Sequence, residues 1–267
     1  MTDTSLRTVS ATLHFGDPSR PGILYPTNQA ASTFKSVPHL VEIADARPIA
    51  ANLSLDREGV ALARHRSALR DFDDSDRVEA IYIPELVELV RSMTGAAEVV
   101  YYQYQVRAED GEARGQRKPA GFAHIDYDEI SFETLLAERF GRAQANRLFD
   151  GRGWAAINVW RGIETVERRP LCFADGRTIS PDDFLPTPID YGPERPAITG
   201  INLVHNPAQR WLYIPEMVPE EALVFTLYDS DPGKAQRVAH SAFDDPGSPP
   251  DARPRRSIEA RFIAFFD

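Results

Sequence analysis

Hydrophobic and polar positions alternate in short runs along most of the chain, and this pattern predicts many strands. The runs are rich in β-branched and aromatic residues, which favour extended structure. The predicted strands cover residues 8–15, 38–43, 98–107, 155–161, 222–228 and 258–266. Two further apolar runs, 200–206 and 210–214, are joined through Asn206 and Pro207, and this spacing predicts a hairpin.

Two stretches have helical spacing instead. Pro84 suits the first position of a helix over 84–94, and Gly95 suits its end. A second helix is predicted over 131–149, with Ser131 as its N-cap. Many short strands with few helices favour a mainly β fold with flanking helices, a double-stranded β-helix (jelly-roll, cupin-like). We expect a single jelly-roll domain over 1–267, in which the strands and loops of 1–80 pack on the core.

Composition argues against two classes of partner. The net charge is -10, from 30 Lys and Arg against 40 Asp and Glu, which disfavours binding to nucleic acid. No apolar run of about 18 residues exists to span a membrane. The N-terminus lacks a signal pattern, and the single cysteine, Cys172, excludes an internal disulfide. We therefore expect a cytoplasmic protein whose partner is a small molecule; the sequence does not determine the oligomeric state.

The segment around His124 and Asp126 carries the first candidate chemistry. Alternate side chains of a strand point the same way, so these two would lie about 7 Å apart on one face. An imidazole and a carboxylate form two-thirds of the 2-His-1-carboxylate ligand set of non-haem Fe(II) oxygenases. The third ligand must then come from downstream, where His205 and His240 are the available histidines. We favour His240.

The reason for favouring His240 is the Arg255-x-Ser257 pair that follows it. On a strand, this pair would present a guanidinium and a hydroxyl on one face, which suits the distal carboxylate of 2-oxoglutarate. Arg261 is a second candidate for that clamp, and Glu259 is expected to pair with one of these arginines. Ordinary surface polarity beside a Pro-rich loop is the alternative interpretation.

Two other strands supply candidate pocket residues. Asn158 and Trp160 would share one face and contact 2-oxoglutarate or substrate. Tyr102 and Tyr104 would likewise share a face and line a substrate pocket. For Trp160 and both tyrosines, a purely structural role in the core is the alternative.

The chain resembles the CmcJ/NvfI family of Fe(II)/2-oxoglutarate oxygenases, which includes AsaB-like hydroxylase/desaturases. The resemblance runs from about Ser54 to the C-terminus. It rests on the segments SLDREGVAL, PAGFAHIDY, INVWR, RPLCFAD, RWLYIPEM, LYDSD, AHSAFDDP and PRRSIEAR. The resemblance implies a jelly-roll enzyme that uses Fe(II), 2-oxoglutarate and O2. It implies that His124, Asp126 and His240 are the iron ligands. In INVWR it adds Arg161 to the candidate substrate residues.

The expected activity is oxidation of an unactivated C–H bond in a small molecule, plausibly a secondary metabolite, by hydroxylation, desaturation or ring formation. A non-catalytic jelly-roll binding protein derived from such an oxygenase is the alternative. A metal-dependent hydrolase or isomerase is disfavoured because no general-base signature such as His-Glu-x-x-His accompanies the ligands.

Overall fold

A computed structural model describes residues 6–111 and 116–267. Its strands are β1 Thr8–Gly16, β2 Ser36–Asp45, β3 Val60–Arg64, β4 Glu98–Ala108, β5 His124–Ile125, β6 Gly153–Gly162, β7 Leu171–Ala174, β8 Phe184–Ile189, β9 Ile198–Leu203, β10 Trp211–Tyr213, β11 Glu221–Asp229, β12 His240–Ala242 and β13 Arg256–Phe266. Its α-helices are α1 Ser75–Arg77, α2 Ile83–Thr94, α3 Glu129–Phe140 and α4 Arg142–Phe149; a π-helix, Val78–Tyr82, joins α1 to α2. Short 3-10 helices cover Gln29–Ala31, Arg47–Asn52, Gly176–Thr178 and Pro181–Asp183.

In the described part of the chain, these strands form two sheets that face each other. The larger has eight strands in the order β1-β2-β10-β7-β12-β5-β9-β8, and the smaller has five in the order β3-β11-β6-β13-β4. Sequence neighbours are often far apart in these orders, as expected when strands cross between two sheets of a jelly roll. The mainly β architecture predicted from the sequence is confirmed.

Apolar side chains fill two layers, one on each side of the smaller sheet. The layer between the two sheets includes Phe173, Phe225 and Phe243. The layer between the smaller sheet and α2 includes Leu86, Val90 and other buried residues. Strands of the smaller sheet are therefore covered on both faces, and β6 and β13 are buried along almost their whole length.

The predicted strands all occur, but the predicted hairpin does not. Strand β9 pairs with β5 and β8, whereas β10 pairs with β2 and β7. The turn at Asn206 and Pro207 thus links two strands that lie apart in the same sheet. Local turn chemistry cannot reveal this, because β9 pairs instead with the preceding strand β8 and with β5, and both partners of β10 are distant in sequence.

The predicted helix over 131–149 is broken in two. Gly141 has φ 85° and ψ 148°, a backbone conformation that glycine adopts readily and other residues adopt rarely. Helix α3 therefore ends at Phe140, and α4 begins at Arg142. The N-cap is Asp128 rather than Ser131: its side chain accepts a hydrogen bond from the backbone N–H of Ser131 at 2.9 Å.

Candidate metal centre and adjoining cavity

His124 and His240 are brought together by neighbouring strands of the larger sheet. Strand β12 pairs with β5, and His240 lies directly opposite His124 in the register. The two ring centroids are 4.4 Å apart. His205, the alternative third ligand, instead stacks on His39 at 4.1 Å between ring centroids.

Each of these two histidines has one ring nitrogen engaged by a backbone carbonyl. Nδ1 of His124 lies 2.8 Å from the carbonyl oxygen of Phe122, and Nδ1 of His240 lies 3.4 Å from that of Val238. A carbonyl oxygen accepts hydrogen bonds, so each Nδ1 carries the proton. The lone pair then resides on Nε2, the atom that faces Asp126 in both cases.

Asp126 follows β5 directly and presents its two carboxylate oxygens to different neighbours. Oδ1 lies 3.6 Å from Nε2 of His124 and 4.0 Å from Nε2 of His240. Oδ2 accepts hydrogen bonds from Nδ2 of Asn158 and Nε of Arg261, both at 2.8 Å. One oxygen is thus held by the smaller sheet while the other faces the two histidines.

The three side chains meet the basic requirement of a metal site. One ligand atom from each lies within 4.8 Å of the others. Burial, with His124 nearby, lowers the pKa of His240 to about 3, which keeps its imidazole neutral. Burial would raise the pKa of Asp126, but Arg261 and the two histidines hold the pKa of this carboxyl well below its usual range. Two imidazoles and one carboxylate suit a divalent iron.

A row of polar side chains on β13 and the residue just before it faces this cluster from the smaller sheet. Arg255, Ser257, Glu259 and Arg261 are all buried, and Ile258 and Ala260 between them point to the apolar layer beneath α2. Glu259 lies 3.9 Å from His240 and also pairs with Arg261. Surface polarity is therefore the wrong interpretation of this row, which lies in the interior.

Arg255 and Ser257 keep polar atoms without partners. Nε of Arg255 and Oγ of Ser257 are fully buried and make no hydrogen bond, while Nη1 of Arg255 donates to the carbonyl oxygen of Arg169 at 2.5 Å. The guanidinium lies 5.4 Å from the ring centroid of Trp160. Burial, with Arg107 and Arg169 nearby, lowers the pKa of Arg255 to about 9, so an anion bound here would stabilise its charged form.

Arg261 has a different environment from Arg255. Besides its 2.8 Å hydrogen bond to Asp126, its Nη2 contacts Oδ1 of Asp126 at 3.4 Å and pairs with Glu259. Burial opposes the charge, but the two carboxylates raise the pKa of Arg261 well above its usual value. The Arg261 guanidinium already forms ion pairs with two carboxylates, those of Asp126 and Glu259.

The predicted pairing of Tyr102 and Tyr104 on one face is wrong, and a β-bulge is the reason. Arg261 pairs with Gln103 and Phe262 pairs with Tyr101, so Tyr102 has no partner on β13. Tyr102 packs in the layer between the sheets, while Tyr104 packs on the opposite side of the smaller sheet.

After the bulge, Gln103, Gln105 and Arg107 point inward instead, beside Arg261, Glu259 and Ser257 respectively. The sequence did not identify these three residues as part of the cavity lining. Their spacing of two in a predicted strand indicates one shared face, but the prediction assigned the pocket to the face of Tyr102 and Tyr104.

Strand β6 divides its candidate residues between its two faces. Asn158 and Trp160 lie on the inner side with the cluster. Arg161 lies on the opposite side, 3.2 Å from Nδ1 of His65 and 5.6 Å from the ring centroid of Tyr82. The expectation that Arg161 lines the pocket is wrong because strand residues alternate in direction.

A cavity of about 390 Å³ opens beside the cluster, within the range of small-molecule sites. His124, Asp126 and Arg261 line its inner end, and β4 and the segment 117–121 line one side. Leu24, Tyr25 and other residues of the N-terminal segment line it as well; no catalytic pattern in residues 1–80 indicated this contribution.

Comparison with known proteins gives consistent matches over nearly the whole chain. A family model described as an oxidoreductase/YMDC permease-like domain matches residues 14–265. Within the described residues, no helix is long and apolar enough to cross a membrane.

The curated relatives are fungal oxidoreductases. The chain is 31% identical over 236 residues to the alpha-ketoglutarate-dependent dioxygenase phiK of Fungal sp. (strain ATCC 74256), which covers 85% of this chain and 83% of that protein. It is 29% identical over 251 residues to the hydroxylase/desaturase efuI of Hormonema carpetanum, covering 85% and 83%.

Among solved structures, the iron and alpha-ketoglutarate-dependent endoperoxidase NvfI superposes with a TM-score of 0.85 at 29% identity. The match covers 97% of this chain and 98% of that structure. The similarity therefore extends through both sheets and includes the strands that carry the histidines, the carboxylate and the polar row.

Proposed function

The chain belongs to the NvfI-like hydroxylase/desaturase family of Fe(II)/2-oxoglutarate-dependent dioxygenases, and from that premise we propose that it oxidises an unactivated C–H bond of a small secondary metabolite. The observation that carries the proposal is the convergence of His124, Asp126 and His240 within 4.8 Å beside a cavity of about 390 Å³. Hydroxylation, desaturation and ring formation are all compatible with this arrangement.

In this proposal His124, Asp126 and His240 bind Fe(II). Nε2 of each histidine and Oδ1 of Asp126 are the ligand atoms, because Nδ1 of each histidine and Oδ2 of Asp126 already have other partners. A ligand set on one side of the ion leaves positions for 2-oxoglutarate and O2. Iron and 2-oxoglutarate together would supply the power to oxidise a C–H bond.

Arg255 and Ser257 would bind the distal carboxylate of 2-oxoglutarate. Both side chains are buried and each has a polar atom without a partner, which costs free energy unless a ligand satisfies it. A guanidinium and a hydroxyl two residues apart match a carboxylate. Arg261 is less suited to this role because Asp126 and Glu259 already neutralise it.

The remaining inward residues would orient these groups and exclude water. Asn158 and Arg261 fix the Asp126 carboxylate, and Trp160 lies against the Arg255 guanidinium. Holding reactants in one geometry and excluding water are the protein's main contributions to a cofactor-driven reaction. Tyr102 packs beside this region without lining the cavity, so its role is proposed to be structural.

The test is to mix the protein with Fe(II) and 2-oxoglutarate without O2, and then to admit O2. We expect a visible charge-transfer absorption band first, and release of succinate afterwards. His240→Ala should lose both signals, while His205→Ala, which alters a histidine outside the cluster, should keep them. A binding protein without activity would give no succinate, and a fully active His240→Ala variant would overturn the assignment of the ligands.

Two broader expectations stay proposals. We propose that residues 1–267 act as one domain, since the N-terminal segment lines the same cavity as β4 and β5. A cytoplasmic location is also proposed; the free, buried Cys172 fits a reducing compartment.

A further inference from the structure

One side of the cavity is cationic although the chain as a whole is strongly acidic. Arg107, Arg117 and Lys118 line it on that side, and Arg261 lies at the inner end. The carboxylate in the described lining is Asp126, which Arg261 and Asn158 already engage. The lining is thus net positive in a protein of net charge -10.

Arg107 and Arg117 are held side by side by their backbones. The two residues form an isolated parallel bridge, and the carbonyl oxygen of Arg117 accepts a hydrogen bond from the N–H of Ala108 at 3.0 Å. This pairing places Arg117 beside the inward row of β4, and both arginines line the cavity. Arg107 is partly buried, whereas Arg117 is exposed.

Neither guanidinium makes a close ion pair with a carboxylate of the described residues, although Glu259 and Asp126 lie near enough to favour the charged form of Arg107. Nη1 of Arg107 donates to the carbonyl oxygen of Lys118 at 2.9 Å, and no ion pair within 4.0 Å is found for Arg107 or Arg117 in residues 6–111 and 116–267. Burial lowers the pKa of Arg107, because its charge is partly removed from water. A partly buried cation without a counter-ion is stabilised when an anion arrives.

Another part of the cavity lining is apolar. Its described residues are large hydrophobic or aromatic side chains from three separate segments of the chain: Leu24, Tyr25, Pro26, Phe122, Ile189 and Tyr191. A small-molecule site usually combines such a surface with a few polar groups that fix the ligand's orientation. Here the polar side chains of the lining include Gln103, Gln105 and Asn202, and those that carry a positive charge are Arg107, Arg117, Lys118 and Arg261.

We propose that the substrate is an apolar molecule with one anionic group, and that Arg107 and Arg117 bind this group. The proposal rests on the proposed function, because the same cavity would bring the substrate to the metal. The anion would lie along β4, and the apolar body would contact the aromatic side. This arrangement would direct the neutral part of the molecule, rather than the charged end, toward His124 and Asp126.

The test uses the protein loaded with Mn(II) and saturated with 2-oxoglutarate, so that the co-substrate site is filled and no turnover occurs. The probes are a panel of aromatic and alicyclic carboxylic acids, each paired with its carboxamide; naphthalene-2-carboxylate and naphthalene-2-carboxamide are one pair. The acid and amide have nearly the same shape and differ in charge. We expect at least one acid to bind about tenfold more tightly than its amide by calorimetry.

The variants are Arg117→Gln, Arg107→Gln and the control Arg70→Gln. Arg70 is exposed and lies outside the cavity, so its substitution removes the same charge without changing the lining. We expect Arg117→Gln to reduce the preference for the acid about fivefold or more, with little effect on the amide. Arg70→Gln should retain the full preference.

Three outcomes would overturn the proposal. The first is that every acid binds no better than its amide, and the second is that the preference survives both cavity variants. The third is that Arg107→Gln and Arg117→Gln act by weakening 2-oxoglutarate binding, which would assign them to the co-substrate. Failure of the proposed function looks different: the protein would then show no Fe(II)/2-oxoglutarate absorption band whatever the acids do.

Discussion

At the scale of single residues, the two oxygens of Asp126 have different environments. Oδ2 accepts short hydrogen bonds from Asn158 and Arg261, while Oδ1 faces the histidines and has a longer contact, 3.4 Å, with Arg261. A carboxylate held in this way would bind a metal through one oxygen, leaving room for other ligands on the ion. Arg261 and Arg255, six residues apart on one strand face, therefore have separable roles.

For Arg255→Gln we expect the dissociation constant of 2-oxoglutarate to rise about 10–100-fold, because charged hydrogen bonds to its carboxylate are lost. Metal affinity should change little. Titration of the absorption band with 2-oxoglutarate measures this. The control is Arg256→Gln, since Arg256 points to the opposite face and pairs with Asp73. An unchanged constant in Arg255→Gln would contradict the assignment.

For Arg261→Gln we expect the reverse pattern. Loss of the partner that fixes Asp126 should weaken metal binding about 10–100-fold, as is typical when a group that orients a ligand is removed. Competition with a metal chelator measures the affinity. If metal binding were intact and 2-oxoglutarate binding impaired, Arg261 would be the clamp in place of Arg255.

The sequence indicated pairs of residues that lie close together in extended chain. The two-residue spacings of His124 with Asp126 and of Arg255 with Ser257 were sufficient to predict a shared direction for each pair, although Asp126 follows β5 and Arg255 precedes β13. The prediction of a shared face for Tyr102 and Tyr104 is wrong because a single bulge at Tyr102 reverses the direction of the later side chains of β4. The prediction that Arg161 lines the pocket is wrong because Arg161 is adjacent to Trp160 and so must face the other way.

At the scale of elements, Gly141 separates α3 from α4. Its φ of 85° with ψ of 148° is a conformation that costs an L residue on the order of 1–3 kcal/mol. A continuous apolar pattern ran through this position, so the sequence alone favoured one long helix. The break depends on backbone conformation, which hydrophobic spacing does not encode.

Gly141→Ala should lower the free energy of unfolding by about 1–3 kcal/mol, measured by urea denaturation. A Cβ at this position would meet nothing within 4 Å, so the cost would be conformational rather than steric. Gly95→Ala is the matched control, because Gly95 is equally open but adopts the left-handed helical conformation, φ 71° and ψ 14°. We expect Gly95→Ala to cost less; an equal cost would contradict this account.

At the scale of the whole molecule, the N-terminal segment is bound to the smaller sheet by an ion pair between the partly exposed Arg47 and the buried Glu221. Arg47 contacts Glu221 through both terminal nitrogens, at 2.8 and 3.1 Å, and also donates to the carbonyl oxygen of Pro215. The Glu221 side chain is 3% exposed. Because the N-terminal segment also lines the cavity, this contact supports both the fold and the proposed site.

The Arg47–Glu221 pair should make stability depend on pH. Burial opposes ionisation, but Arg47 and other hydrogen-bond donors hold the pKa of Glu221 below its usual value of 4.5. A lowered carboxyl pKa contributes stability that is fully present above pH 4.5 and is lost as the pH falls through the folded-state value.

Glu221→Gln should therefore lose on the order of 1–3 kcal/mol at pH 7 and show less loss on acidification than the unmodified protein. Chemical denaturation at several pH values measures both effects. Glu220→Gln, the exposed neighbour, is the control. A variant that is as stable as the parent at pH 7, or loses as much stability on acidification, would exclude this contribution.

The long strand β13 has one further consequence, which concerns insertions and deletions. It lies between β4 and β6 and carries Ser257 of the proposed clamp and the partner of Asp126 on one face, and Ile258, Ala260 and Phe262 on the other. Removing or adding one residue between Ser257 and Arg261 would exchange the two faces on one side of the change. Charged groups would then enter the apolar layer beneath α2. We therefore expect the interval between these two residues to be fixed in length in active relatives, whereas the loop 244–254 before it is free to lengthen or shorten.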